Sequence, residues 1–128
     1  MVTQESRSNI IPQGSERSEA SDNIANLYAK FFRGLGDPTR VKIMHLLLEK
    51  PYSVGELVEI LDSPQGRVSS HLSCLRWCGF VKSIRQGRNV IYHVSDQRVR
   101  TLLVTAQELL QLNAERVANC FIIDASEC

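Results

Sequence analysis

The segment Ser63-Pro-Gln-Gly-Arg-Val-Ser-Ser-His-Leu-Ser-Cys-Leu-Arg-Trp-Cys-Gly79 decides how the rest of the chain is read. Ser63 suits a helix N-cap, Pro64 suits the first helical position, where no backbone donor is needed, and Gly79 suits the residue just past the last turn. One helix over about Pro64 to Cys78 is expected. Within it Val68, Leu72 and Leu75 recur at spacings of four and three and make a narrow apolar stripe that must pack on something. Gln65, Arg67, Ser69 and Ser70 fall in the first two turns and are short or polar enough to approach base edges and phosphates. Recognition helices use their N-terminal residues in the major groove in this way.

The residues just before this segment extend the pattern. Ser53 can cap a short helix from Val54 to Leu61, whose Val54, Leu57, Val58 and Leu61 repeat at helical spacing, and Asp62-Ser63-Pro64 then forces a tight turn. Two short helices joined in this way, the second rich in Ser, Gln and Arg, are a helix-turn-helix, although an ordinary helical hairpin would share the spacing. After Gly79, Phe80–Arg85 and Asn89–Val94 alternate with period two and are mostly β-branched or aromatic, which predicts a hairpin. Its connection Gln86-Gly87-Arg88 has a glycine for positive φ, and Arg85 and Arg88 flank a tip that could meet a phosphate backbone. A basic hairpin directly after a recognition helix is a wing.

Towards the N-terminus, Asp22 can cap a helix of about Asn23 to Arg33, with Ile24, Leu27, Tyr28, Phe31 and Phe32 giving a strongly apolar face. After Gly34-Leu-Gly36, Asp37 is a strong N-cap and Pro38 opens a second helix to about Glu49. Val41, Met44, His45 and Leu48 lie on one side of it and Ile43, Leu46 and Leu47 widen that side, so a core helix with a hydrogen-bonded His45 is expected. A last helix is expected from Asp96 or Gln97 to about Val117, with Val99, Leu102, Leu103, Ala106, Leu109, Leu110 and Leu112 apolar. The chain holds no further helix to cover all of these, so the first and last helices read as a two-fold dimer surface. A homodimer sets two recognition helices about one DNA turn apart, roughly 34 Å, and implies an inverted-repeat operator in double-stranded DNA.

The expected fold class is therefore mainly α with a small β-hairpin wing, a winged helix-turn-helix that dimerises through its first and last helices. Residues 1–21 are polar and Ser-rich and are expected to form a weakly ordered arm, residues 22–117 the DNA-binding and dimerisation domain, and residues 118–128 a cysteine-bearing tail. At 128 residues the core is small but sufficient for one domain. The formal net charge of +1 is unevenly spread: −2 over residues 1–29, +5 over 30–93 and −2 over the rest. The positive charge thus sits where the winged helix is expected, although a solvated surface could produce the same imbalance. No leader and no stretch able to cross a membrane are recognisable, so a cytoplasmic protein is expected. There is no Gly-rich phosphate loop, nucleophile elbow or spaced His/Asp/Ser set, so an enzyme is not expected.

Four cysteines in a reducing compartment are more readily metal ligands or reactive thiols than disulfides. Cys74 and Cys78 are four apart, which sets both sulfurs on one face of the helix, near enough to share one ion. Soft thiolates select Cd(II), Pb(II), Hg(II) or Zn(II) over Mg(II) or Ca(II). Both are equally acceptable as small half-buried hydrophobes, and His71, one turn earlier, could be a further ligand, a structural residue or a DNA contact. A thiol redox switch on the same DNA-binding body is the competing function, although residues four apart in a helix are poorly placed for a disulfide without backbone movement.

Taken together, Gly34-Leu-Gly-Asp-Pro-Thr-Arg40, Leu46-Leu-Leu48, Val68–Val81 and Gly87-Arg-Asn-Val-Ile-Tyr92 resemble the ArsR/SmtB family of bacterial metal-responsive repressors over roughly Leu27 to Leu112. Within it, His71-Leu-Ser-Cys74-Leu-Arg-Trp-Cys78-Gly is most similar to the CmtR branch of cadmium and lead sensors. The resemblance implies Cys74, Cys78 and Cys120 as metal ligands, with Cys120 contributed by the other protomer and Cys128 as second choice. It implies Cd(II) or Pb(II) as effector, with Hg(II) or Zn(II) as alternatives. A metal-free dimer would bind its operator through Gln65, Arg67, Ser69, Ser70 and His71, with Arg85 and Arg88 on phosphates, and release it when metal binds. Two other metal sites of the family lack their ligands here, since Val54–Leu61 has no Cys-x-Cys and the last helix has no His.

Overall fold

A computed structural model describes residues 17–120. Among these, five helices and three strands follow in the order α1 (Arg17–Arg33), α2 (Pro38–Glu49), β1 (Tyr52–Ser53), α3 (Val54–Leu61), α4 (Gln65–Trp77), β2 (Val81–Gln86), β3 (Asn89–Val94) and α5 (Gln97–Ala118). This is a winged helix-turn-helix.

The helix boundaries follow from local chemistry. Asp37 Oδ2 accepts from the Thr39 and Arg40 amides at 2.9 and 3.1 Å, and Pro38 takes the first position of α2. Ser53 and Glu56 form a reciprocal capping box at the start of α3: Ser53 Oγ accepts from the Glu56 amide at 3.1 Å, and Glu56 Oε1 accepts from the Ser53 amide at 2.8 Å. At the end of α4, Gly79 has φ +85°, its amide donates to Arg76 and the Phe80 amide donates to Leu75 at 2.9 Å, the paired bonds of a Schellman ending. Ser95 Oγ then donates to the Gly79 carbonyl at 2.6 Å and ties this ending to the sheet.

Strands β2 and β3 pair antiparallel from Val81↔Val94 to Gln86↔Asn89, so only Gly87 and Arg88 lie between the strands. Gly87 carries positive φ and Arg88 does not, as in a type II′ turn. Strand β1 adds to the other edge of β3 through Tyr52↔Tyr92 and Ser53↔Ile91, giving the order β1-β3-β2.

The core is where α2, α3 and α4 meet the sheet. Ile43, Met44, Leu47, Leu57, Val68, Leu72, Leu75, Phe80 and Val81 are almost wholly buried, with Val94, Val99 and Leu103 at its margin. Only the first turns of α5 join this core. Beyond them Val104, Leu109, Leu110, Leu112 and Val117 are uncovered in the single chain, Leu112 being 83% exposed, and on α1 Leu27, Tyr28 and Phe32 are equally bare.

Four local expectations need correction. Helix α1 begins at Arg17, so Asp22 lies inside it instead of capping it; Ser18-Glu19-Ala20-Ser21 contains no helix breaker, and Glu19 in the first turn suits the partial positive charge there. Residues 1–16 and 121–128, with Cys128, lie outside the described residues. Ser63 does not cap α4: its hydroxyl turns back towards the Leu61 carbonyl at 3.5 Å, because Asp62 takes the left-handed conformation that ends α3. Pro64 stands at the cap position, and α4 has no side-chain cap. His45 is exposed, since the buried side of α2 is Ile43, Met44 and Leu47, one step round from the stripe expected.

Removing the α2 cap with Asp37→Ala should lower stability by about 0.5–2 kcal/mol at neutral pH, read by urea unfolding. Burial works to raise the Asp37 carboxyl, but hydrogen bonds from the Arg40 and Thr39 amides and the Arg40 charge outweigh it and hold it below its ordinary value. The stabilisation is therefore fully present above the ordinary aspartate range and is lost as pH falls through the depressed value. The gap between wild type and variant should close only in that acid window.

Candidate nucleic-acid interface and thiol pair

The turn at Asp62-Ser63-Pro64 and the seating of Val68, Leu72 and Leu75 fix how α4 is rotated, and the other side chains follow. Gln65, Gly66, Arg67 and Ser70 are exposed at its first turns and Ser69 is half-buried. A Cβ on Gly66 would meet nothing within 4 Å, so the start of the helix is open to an approaching surface. Arg85 and Arg88 are exposed at the wing tip, and Arg76 Nη1 reaches Ser83 Oγ at 3.4 Å, tying wing to helix.

His71 is oriented differently from those residues. Its side chain is only 14% exposed and sits against the loop between α1 and α2. Arg40 Nη1 donates to His71 Nδ1 at 3.1 Å, because a guanidinium can only donate, and this leaves the ring proton on Nε2, 3.9 Å from Asp37 Oδ2. Arg40 also donates through Nε to the Gly34 carbonyl at 2.7 Å and through Nη2 to the Arg33 carbonyl at 3.2 Å. These carbonyls close α1, so one guanidinium joins the end of α1 to the middle of α4.

Cys74 and Cys78 come together on the flank of α4 that faces α1. Burial pushes the Cys78 thiol up, and Cys74 beside it raises it further through charge and hydrogen bonding, while Arg40 and Lys30 act in the opposite direction. On one side Cys78 is closed off: a Cβ placed on Gly34 would lie 2.8 Å from Cys78 Sγ, 3.0 Å from the Phe31 carbonyl and 3.4 Å from the Phe80 ring. Its other side opens on a crevice of about 490 Å³ lined by Leu27, Lys30, Phe31, Trp77 and Cys78. Trp77 is 87% exposed at the mouth. Among the described residues of one chain no third His, Cys, Asp or Glu joins the pair to make a metal-holding group. Cys120 is half-buried just past the end of α5 and is not part of such a group.

The sequence reading did not foresee the roles of Gly34, Arg40, Lys30 and Trp77 around the thiols. Gly34 and Arg40 stand in the quoted Gly34–Arg40 stretch, but nothing in their spacing says which carbonyl or ring they will meet.

A family model described as "Bacterial regulatory protein, arsR family" matches residues 37–83, from the α2 cap into the wing. Over 92 residues the chain is 42% identical to a probable mercury resistance operon repressor of Streptomyces lividans, covering 72% of this chain and 74% of the relative. The chain belongs to the ArsR family. The HTH-type transcriptional regulator CmtR of Mycobacterium bovis is 37% identical over 89 residues, covering 69% of this chain and 75% of the relative. The crystal structure of Rv0081 from Mycobacterium tuberculosis superposes with a TM-score of 0.69 at 33% identity, covering 73% of this chain and 96% of that one. As an ArsR protein the chain is a transcriptional regulator and not an enzyme. Among the described residues, no helix is long and apolar enough to cross a membrane.

The tight fit at Cys78 has a measurable consequence. Gly34→Ala should destabilise the fold by about 1–3 kcal/mol, since the Phe31 carbonyl is backbone and cannot step aside. Gly36→Ala, whose Cβ would meet nothing nearer than 3.5 Å, should stay close to wild type in the same urea titration.

Proposed function

We propose that this protein is a homodimeric metal-sensing repressor, which holds an inverted-repeat operator when metal-free and lets it go when a soft divalent ion binds its cysteines. The observation that carries the reading is that Cys74 and Cys78 stand side by side on the last turns of the helix whose first turns would read DNA. Relatives named as a mercury resistance repressor and as CmtR support the metal response.

The donor set fits such an ion. Two adjacent half-buried thiols select a soft cation; burial and Cys74 push the Cys78 thiol up, against the Arg40 and Lys30 charges, so the ion itself would have to displace its proton. Cd(II) and Pb(II) are the proposed effectors, with Hg(II), which the mercury-named relative supports, and Zn(II) as alternatives. When bound, the ion supplies a bridge between thiolates on separate elements. Cys74 and Cys78 would give two of its bonds. Cys120 of the second protomer would give the third, because within one chain it stands apart from the pair.

Dimerisation accounts for the bare apolar faces. Leu27, Tyr28 and Phe32 on α1, with Leu109, Leu110 and Leu112 on α5, form uncovered surfaces of a kind that marks a protein contact. A homodimeric winged helix-turn-helix from Mycobacterium bovis shares the fold with a TM-score of 0.68 at 21% identity. In the dimer, Gln65, Arg67, Ser69 and Ser70 face the major groove, the uncapped start of α4 offers its amides to a phosphate, and Arg85 and Arg88 reach the flanking backbone. His71 acts from behind the helix, where Arg40 holds it.

Two measurements test this reading. Adding Cd(II) or Hg(II) to a labelled duplex, selected in vitro for binding to the metal-free protein, should release the protein. Cys74→Ser and Cys78→Ser should bind the duplex normally, lose the ultraviolet thiolate-to-metal absorption and no longer release; a wild type that stays bound when metal-loaded would sink the proposal. Release only by peroxide or diamide would favour a redox switch.

For the wing, Arg85→Ala and Arg88→Ala should each weaken binding to all duplexes alike. Each should also reduce the slope of log affinity against log salt by about one. An unchanged slope would place the wing away from the phosphates.

A further inference from the structure

We propose that Arg40 is the positioning residue through which the thiol pair acts on the DNA-reading part of α4, by way of His71. This deepens the metal-release reading and rests on it. The starting observation is that the segment Gly34–Arg40, which leads from α1 into the first turn of α2, touches α4 and its C-cap at two separate points. Near the end of the helix, Cys78 Sγ occupies the space beside Gly34 where a Cβ would sit, 2.8 Å away. One turn before Cys74, His71 Nδ1 accepts from Arg40 Nη1 at 3.1 Å.

Arg40 is what makes those two contacts one unit. Its Nε–H holds the Gly34 carbonyl at 2.7 Å, its Nη2 holds the Arg33 carbonyl at 3.2 Å, and its Nη1 holds His71. A planar guanidinium fixes these three acceptors relative to one another, so Gly34 cannot shift without carrying His71 with it. Asp37, which caps α2, adds a weaker contact to the other ring nitrogen at 3.9 Å.

The thiol end of this linkage is closed on one side. Gly34, the Phe31 carbonyl and the Phe80 ring wall Cys78 there, so a displacement of Sγ towards them must move either the end of α1 or the last turn of α4. Either movement loads the Arg40 fork. At the far end His71 lies one turn past Arg67 and directly after Ser69 and Ser70, so the load arrives at the part of the helix that faces the groove.

The competing account is that Arg40 only closes the carbonyl end of α1 and adds stability. The two accounts differ in what they do to the coupling, that is, the ratio of operator affinity without and with metal. Three variants separate them: His71→Leu, which cuts the link without touching the α1 carbonyls; His71→Gln, which restores an acceptor for Arg40; and Arg40→Lys, which keeps the charge but not the fork. Each is read by urea unfolding, by Cd(II) thiolate absorption and by binding to the in-vitro-selected duplex with and without Cd(II).

The expected result is that His71→Leu and Arg40→Lys still bind Cd(II) and the duplex. Their Cd(II)-induced loss of affinity should shrink from the roughly 5–150-fold of ordinary linked sites to about twofold, and His71→Gln should recover much of it. Because linkage is reciprocal, the duplex should also stop weakening Cd(II) binding by the same factor. Variants that release as strongly as wild type overturn the role of Arg40 alone. So does an equal loss of duplex affinity with and without metal, which would make His71 a direct DNA contact. A wild type that keeps its duplex when loaded with Cd(II) overturns the metal-release reading itself, and the role of Arg40 with it. Should Arg40→Lys fail to fold, His71→Leu decides.

Discussion

Everything about α4 depends on the burial of Val68, Leu72 and Leu75, none of which retains solvent exposure. Each such side chain contributes about 1.5–3 kcal/mol, so the three together rival the net stability of a small domain. The helix therefore cannot turn about its axis without losing the fold. At about 100° per residue, His71, Cys74 and Cys78 fall roughly 60–120° to one side of that stripe, Ser69, Ser73 and Arg76 a similar angle to the other, and Ser70 and Trp77 opposite it. The burial pattern agrees: His71, Cys74 and Cys78 are half-buried against the α1 side, while Ser70, Ser73, Arg76 and Trp77 are exposed. One hydrophobic constraint thus assigns the thiols to a half-buried flank and Ser70 and Ser73 to the outer surface of the same helix.

The parts of this fold that can be read from sequence are those whose cause is local. Asp37-Pro38, the Ser53 cap, Gly79 and Gly87 each satisfy a backbone requirement within a few residues, so they mark their boundaries correctly. What escaped was set by distant partners. Strand β1 is two residues long and has no periodicity of its own; it exists because Tyr52 and Ser53 find Tyr92 and Ile91 across the sheet. Ser63 has the chemistry of an N-cap, yet the left-handed Asp62 before it turns its hydroxyl away from α4. His45 was mistaken for a core residue because Ile43, Met44 and Leu47 supply a second apolar stripe on a helix that is hydrophobic on most sides, and only the neighbours decide between the two.

The same division runs through the site. The spacing of Cys74 and Cys78 foretells that their sulfurs share a face, and the structure puts them together. The spacing says nothing of the neighbours that set their character. The glycine that closes one side of Cys78 and the arginine that reaches three elements lie more than thirty residues away in sequence. Their arrangement arises only when the end of α1 packs against the segment that follows α4, through Phe31 and Phe80, whose rings stand 4.7 Å apart.

Helix α1 emerges as the element shared by every proposed partner. Leu27 and Phe31 line the crevice beside Cys78, Leu27, Tyr28 and Phe32 stand bare where a second protomer would pack, and the carbonyls of Arg33 and Gly34 are held by the guanidinium that also holds His71. A helix of 17 residues with one face where a second protomer would pack and its end tied to α4 would not respond to one neighbour in isolation. For a dimeric DNA reader this matters more than any local distortion, because the duplex samples the separation of two helices across the two-fold axis, and small rotations of α1 are multiplied over that distance. A sensor of this design can therefore keep each half folded and still lose its operator, provided that the thiols alter the angle at which α1 meets α4. That is a smaller structural change than unfolding a wing or a helix, and it fits a coupling of about 1–3 kcal/mol, well within the stability of the domain.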